Sequence, residues 1–233
     1  MLETILGVAH NATTLLFGVL VSAAFLGVRM ERRNVLWLLG FSAVSGAAFA
    51  GIGAVAGEAV ARQLYPLVVH APLVAFLAWR FHRGVSMCVL AVLVAYLCCQ
   101  VSNWMGLLAL WLSGETVVYY AVRVAVTLLV LAVLLRMLSD MSGWLLEKPG
   151  RSFATFGMLP LVYYVFDYAT NVYASLPESG PKVVSEFTAL ALCLFYLVFL
   201  FVYFRQYEER ESAEKLNWML ETELAQASRE VEA

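Results

Sequence analysis

Residues 85–112 read VSMCVLAVLVAYLCCQVSNWMGLLALWL, twenty-eight positions without one charged side chain. A bilayer core of about 30 Å takes roughly 20 apolar residues as a helix, so this stretch predicts a membrane span with length to spare. Outward from it lie six more apolar runs, at about Thr4–Val28, Val35–Ala56, Leu64–Trp79, Thr116–Leu135, Ser152–Ala174 and Val184–Phe204, the third of them short. The predicted fold is all-α: a polytopic bundle of seven transmembrane helices over residues 1–204, followed by a soluble helix over 205–233. Composition agrees. Of the 233 residues 62% are apolar and 14% charged, where an ordinary soluble domain carries about 25% charge. A soluble fold of this size has too little polar surface for that chain. A soluble enzyme, a disordered tail and a nucleic-acid binder are excluded, and the net charge of -2 argues against a polyanionic partner. Cys88, Cys98, Cys99 and Cys193 sit inside apolar runs and give neither a disulfide framework nor zinc spacing.

Basic residues predict the orientation. The connections after the first, third and fifth runs hold Arg29, Arg32, Arg33, Arg80, Arg83, Arg136, Lys148 and Arg151, while the alternate ones hold Arg62 and Lys182. By the positive-inside rule the N-terminus is outside and the C-terminus cytoplasmic. No basic segment precedes the first run and a basic cluster follows it, which reads as an uncleaved N-out anchor rather than a signal peptide.

Ionisable groups at membrane depth are costly and mark function by default. At about 1.5 Å of rise per residue, His10 and Asn11, His70, Gln100 and Asn103, Arg123, and Asp167 with Asn171 fall in one layer, roughly 6–18 Å below the outer surface. Trp104, Tyr119, Tyr120, Tyr163, Tyr164, Tyr168 and Tyr173 share it. Apolar walls with a few convergent polar groups describe a small-ligand pocket. Its expected members are His70, Asn103, Arg123, Asp167 and Asn171, with Tyr164, Tyr168, Gln100 and His10 around them. Arg123 and Asp167 are expected to pair, each offsetting the other's desolvation. Polar glue between helices is the competing reading of each residue singly, and an interfacial belt suits Tyr119 and Tyr120. His70 lies between Pro66 and Pro72. Pro72 takes a backbone donor from the turn holding Val68, which fits either a binding site in a proline-interrupted span or a kink that His70 caps. Pro160 should kink the sixth helix near Phe156. In the second run Ser42, Gly46, Ala50, Gly53 and Gly57 are small residues for close packing.

No lysine in the seventh run offers a retinal attachment, and no phosphate loop, HExxH or GxSxG motif occurs. His10 and His70 as haem ligands have nothing else in their favour. No catalytic residue, cofactor or metal is expected. Residues 205–233 carry eight acidic and four basic side chains. In them Ala213, Asn217, Leu220, Leu224, Ala227 and Val231 recur at steps of four and three, a coiled-coil seam in which Asn217 at an a position, with Leu220 and Leu224, sets the register of a parallel homodimer. A solvated helix without a partner is the alternative.

Three stretches carry a family resemblance: Leu64-Tyr65-Pro66 with His70 and Pro72; Tyr96-Leu97-Cys98-Cys99-Gln100 with Asn103-Trp104; and Pro160-Leu161-Val162-Tyr163-Tyr164-Val165-Phe166-Asp167-Tyr168 with Thr170 and Tyr173. With the tail from Tyr207-Glu208-Glu209-Arg210 to Glu230, the chain resembles the membrane sensor half of GHKL-type histidine kinases, a group that includes the Agr-like peptide sensors. The resemblance implies a multi-pass protein of the bacterial cell membrane. Its implied partners are a second copy, membrane lipid and an extracellular or membrane-borne small ligand or peptide. The chain departs from such kinases in stopping at Ala233, before any phospho-accepting helix pair or ATP-binding domain, so a sensor excised from its kinase, or a natural protein without the enzyme, is expected. A response regulator would be reached only through the missing kinase core. The expected function is ligand sensing, passed from the outer-half pocket through the seventh helix to a dimeric coiled coil. A small-molecule transporter or channel is the alternative; it calls for polar groups through the full depth and an internal repeat, neither of which the sequence displays.

Overall fold

The computed structural model describes the backbone of residues 2–147, 149–173 and 180–232. Lys148 lies outside the described residues, as do the side chains of Arg151, Lys182, Leu224, Ala227 and Val231. Every element among the described residues is helical: α1 (Leu2–Phe25), α2 (Arg32–Ala56), α3 (Glu58–Tyr65), α4 (Ala71–Phe81), α5 (Val85–Ser113), α6 (Thr116–Glu147), α7 (Pro149–Asp167) and α8 (Gly180–Glu232), with wide π-helical turns at Pro66–His70 and Tyr168–Tyr173. The chain divides into two compact units, Met1–Leu194 and Phe195–Ala233.

Five helices among the described residues are long and apolar enough to cross a membrane: Glu3–Phe25, Arg32–Ala56, Glu58–Phe81, Val85–Ser113 and Thr116–Leu138. Inside α8, Ala191–Tyr203 is a shorter apolar stretch. The most apolar part of α5 is 61% buried, against 11–22% for the other four. Thus α5 is the hub, with α1, α4, α6 and α7 packed on it, while α1 also packs along α6 and α2 lies against α3. Elsewhere these helices turn Leu36, Val44, Trp79, Leu129 and Val133 outward, a surface far more apolar than water favours and suited to acyl chains.

The third span is not short, as the apolar run had suggested. It extends N-terminally to Glu58 because the polar residues there, Glu58 and Arg62, form an exposed i,i+4 ion pair at 3.5 Å and require no burial. Nor do its prolines break it. Pro72 cannot donate to the Val68 carbonyl, and its ring would press on it; the helix widens instead, and the Ala71 N–H reaches back five residues to the Pro66 carbonyl. Likewise α7 runs through Pro160 without a break, and departs from α geometry only at Tyr168–Tyr173.

The tightest packing gathers where the second half of α1 meets the first half of α5. Phe17, Val19, Val21, Phe25 and Leu26 are buried there, as are Cys88, Leu90, Ala91 and Leu97. The hydroxyl of Ser22 donates to Gly18 O at 2.6 Å and faces Ala91 O at 3.4 Å. Of the small residues expected to pack, Ser42 is buried, and a methyl on Gly46 would lie 3.3 Å from Leu15 and one on Gly53 3.9 Å from Ala61, whereas Ala50 is exposed and Gly57 has nothing within 4 Å. In the second unit the helix carries an Arg205–Glu209 ion pair at 3.3 Å and leaves Leu216, Trp218, Met219 and Leu220 exposed.

Between α5 and α6 the chain turns at Gly114, whose left-handed φ of 71° closes α5 through a 2.8 Å bond from its N–H to the Leu110 carbonyl. A side chain in that region costs about 1–2 kcal/mol. Gly114→Ala should lower the stability of the detergent-solubilised protein by that amount in thermal unfolding. Gly84→Ala, at φ -57° with open space around it, should change it little. Equal effects at both positions would show that the Gly114 turn carries no such constraint.

Candidate functional site

The polar residues do not form one cluster but two, each built against α5. The larger joins the third span to α7. Both wide turns, Pro66–His70 and Tyr168–Tyr173, contribute residues here. The His70 ring nitrogen Nδ1 and the Tyr164 hydroxyl are 2.8 Å apart; which of them donates depends on the histidine tautomer. The Tyr96 hydroxyl of α5 donates to Asp167 Oδ2, and Asn171 Nδ2 donates to Asp167 Oδ1 at 2.7 Å. At the far end, the Tyr173 hydroxyl donates to the Gln63 carbonyl at 3.1 Å.

Rings fill the space between these bonds. Tyr65 and Tyr96 stand nearly edge-on to His70, at centroid distances of 4.9 and 5.6 Å. Tyr164 lies 4.9 Å from Tyr96 and 4.8 Å from Tyr168. Offset and edge-to-face pairs of this kind each add about 0.5–1.5 kcal/mol beyond their buried area. Tyr163 is fully buried with its hydroxyl close to the Asp167 carboxylate. Beside the cluster an open groove of about 310 Å³ runs along Pro66, Tyr164, Val165, Tyr168, Ala169 and Tyr173. That is the lower end of the range for small-ligand sites. Both wide turns line it, and its walls are aromatic and aliphatic.

The smaller cluster lies between α1, α5 and α6. Arg123 donates through Nη1 to the Tyr119 hydroxyl in a short bond, and its guanidinium carbon sits 5.1 Å from the Tyr119 ring centroid. It is close enough to His10 and Cys99 to act on them electrostatically. His10 stacks at 5.9 Å on Tyr120 and has Thr14 Oγ1 3.4 Å from its Nδ1. Gly106 of α5 is buried against the Arg123 side chain, with no room for a methyl group.

The expected Arg123–Asp167 pair does not form. Asp167 accepts from Tyr96 and Asn171, and Arg123 donates to Tyr119; no ion pair joins them. Their helices explain this: α6 and α7 both pack on α5 and scarcely touch each other. Each charge is met locally by phenol and amide groups. Of the other expected members, His70, Asp167, Asn171, Tyr164 and Tyr168 come together in the larger cluster and His10 joins Arg123 in the smaller. Gln100 and Asn103, half-buried on α5, make no side-chain hydrogen bond. Tyr65, Tyr96 and Gly106 were not expected members. A tyrosine inside an apolar run and a glycine inside a helix carry no sign of their partners, although Tyr65 adjoins Pro66 and Tyr96 opens the Tyr96–Gln100 motif.

No family model, curated protein or solved structure matches the chain. The chemistry of these side chains carries the functional reading: a hydrogen-bonded aromatic cluster, one carboxylate held by two donors, and a groove with mostly apolar walls.

A methyl group on Gly106 would have to displace Cγ and Cδ of Arg123 and would meet Tyr119 at 3.2 Å. Gly106→Ala should therefore destabilise the protein by about 1–3 kcal/mol, the usual range for overpacking, measured by thermal unfolding in detergent. Gly18→Ala, on α1 with nothing within 4 Å, should be neutral or stabilising by up to about 1 kcal/mol. A neutral Gly106→Ala would mean that Arg123 does not rest on this helix face.

Proposed function

We propose that the chain is the membrane-embedded sensor module of a GHKL-type histidine kinase, with seven spans, an outside N-terminus and a cytoplasmic C-terminus. The Pro66–Tyr164–Tyr168–Tyr173 groove receives a largely apolar ligand from the membrane or the outer face. The observation that carries this reading is the meeting of two π-helical turns on that groove. Such turns are rare and gather at functional sites. A π turn that reverts to α geometry shifts all that follows by one residue, about 100° of rotation and 1.5 Å of rise. Two of them around one groove make an element with discrete alternative arrangements, which a ligand that prefers one of them shifts.

The route outward from the site is the chain itself. The second wide turn ends at Tyr173, and α8 begins at Gly180 and runs unbroken to Glu232. Its exposed apolar residues Leu216, Met219 and Leu220 support pairing with a second copy, with Asn217 and Leu224 setting register. The seven-span, N-out arrangement is supported by the eight-to-two split of basic residues between alternate connections.

Single-cysteine labelling in intact cells tests the topology. An impermeant reagent should reach Glu178→Cys from outside and not Lys148→Cys; the reverse pattern would invert the orientation and place the groove nearer the cytoplasm.

Filling the groove tests the function. Ala169 is exposed and lines it, so Ala169→Trp should occupy it without removing a polar contact. In membranes carrying Leu220→Cys, cross-linking between copies should exceed that of Glu221→Cys, and Ala169→Trp should change its yield at least threefold. The lipid-facing control Ala47→Trp should not. No cross-linking at Leu220 would defeat the dimer; unchanged cross-linking with Ala169→Trp would defeat the groove as a signalling site.

A further inference from the structure

Where the α1–α2 link meets the α4–α5 link, a second pocket of about 280 Å³ opens, bounded by Arg29, Glu31, Asn34 and Arg83, with Val28 and Phe81 as its apolar members. It is separate from both clusters and nothing in the proposed sensing function uses it. We infer that this pocket binds the phosphate of an anionic phospholipid headgroup.

The donors are built in and unspent. Arg83 Nε is fully buried and has no acceptor among the described residues. A buried guanidinium donor left without a partner is costly, and such a group calls for an oxyanion. Among the described residues Arg29 forms no ion pair, and Glu31, though it lines the pocket, pairs with neither arginine. The framework is held in place by local bonds. Asn34 Nδ2 donates to the Arg29 carbonyl at 3.0 Å, and the Cys88 thiol faces the Arg83 carbonyl at 3.9 Å. His82, just before Arg83, caps the preceding helix at a left-handed φ of 52°, a conformation uncommon for non-glycine residues.

The charge balance selects the ligand. Two guanidinium groups against one carboxylate leave one positive charge, which matches a phosphodiester monoanion. Arginine forks fit tetrahedral phosphate oxygens through paired N–H donors. Position selects the source. The pocket lies at the ends of four apolar helices, and nearby the Arg80 guanidinium lies 5.4 Å over the Trp37 ring. Tryptophan and arginine mark the headgroup level of a bilayer. Free phosphate offers the same chemistry from water, so the test has to separate the two.

The full chain, purified in uncharged detergent, is titrated with phosphatidylglycerol in mixed micelles and separately with inorganic phosphate at constant ionic strength, reading the thermal unfolding midpoint. Phosphatidylglycerol should raise the midpoint saturably, and phosphate at the same concentration should not. Loss of a charge-assisted bond in Arg83→Gln should raise the half-saturating lipid concentration about tenfold or more. Should Arg83→Gln fail to fold, the exposed Arg29→Gln carries the same expectation. Glu31→Gln, which removes the opposing charge, should lower the half-saturating concentration. Arg32→Gln, on the same basic end but outside the pocket, should leave it unchanged. Stabilisation by phosphate alone would overturn the lipid as source. No stabilisation by either, no response to Glu31→Gln, or equal losses in Arg32→Gln and Arg83→Gln would overturn the pocket as a built site.

Discussion

The bond from Tyr96 to Asp167 is the interaction around which the site is arranged. A carboxylate set among packed helices needs donors at close range, because its desolvation cost is large when it has none. Tyr96 supplies one from the hub helix and Asn171 another from the next turn of the same segment. This bond ties α7 to the middle of α5 and fixes which face of α7 points inward. Tyr163 and Tyr164 are thereby brought against Tyr96, and Tyr164 reaches His70 on the third span. Four helical segments thus share one connected network.

The hub position of α5 decides the rest of the layout. Among the five described spans it is the one whose most apolar stretch is mostly buried. Arg123 and Asp167 are expected at one depth from the sequence, yet among the described residues their helices pack against α5 and scarcely against each other. An intrahelical phenol, four residues before Arg123, takes the place of the missing acid. Phenol and amide donors also bend and rotate more readily than a tight ion pair, which suits a bundle proposed to switch.

Around the groove, packing is less regular than in the α1–α5 interface. The interface is filled by Phe17, Phe25, Leu26 and Leu90 in ordinary helix geometry. The groove is bordered by two segments of widened helix. Regular helix lies at one interface and widened helix at the other, and the proposed ligand site borders the second.

The all-helical class and the existence of long apolar spans were legible in the sequence because they rest on composition and run length, which need no partner. His70, Asp167, Asn171, Tyr164 and Tyr168 were legible as candidates because polar groups inside apolar runs are conspicuous, and the structure brings them into one cluster. Pairing was not legible. Depth along a helix can be counted from the sequence, but the azimuth that decides between Tyr96 and Arg123 as the neighbour of Asp167 depends on which helices touch. The third span was misread as short because an apolar run ends at its first charge, while a helix continues wherever that charge faces outward, as Glu58 and Arg62 do. Pro72 marked a disturbance, but whether it becomes a break, a kink or a widened turn is settled by the packing around it. Gly106 has meaning only through the Arg123 side chain laid across it. Local chemistry set what each segment is; only tertiary packing around α5 decided which side chains share a site.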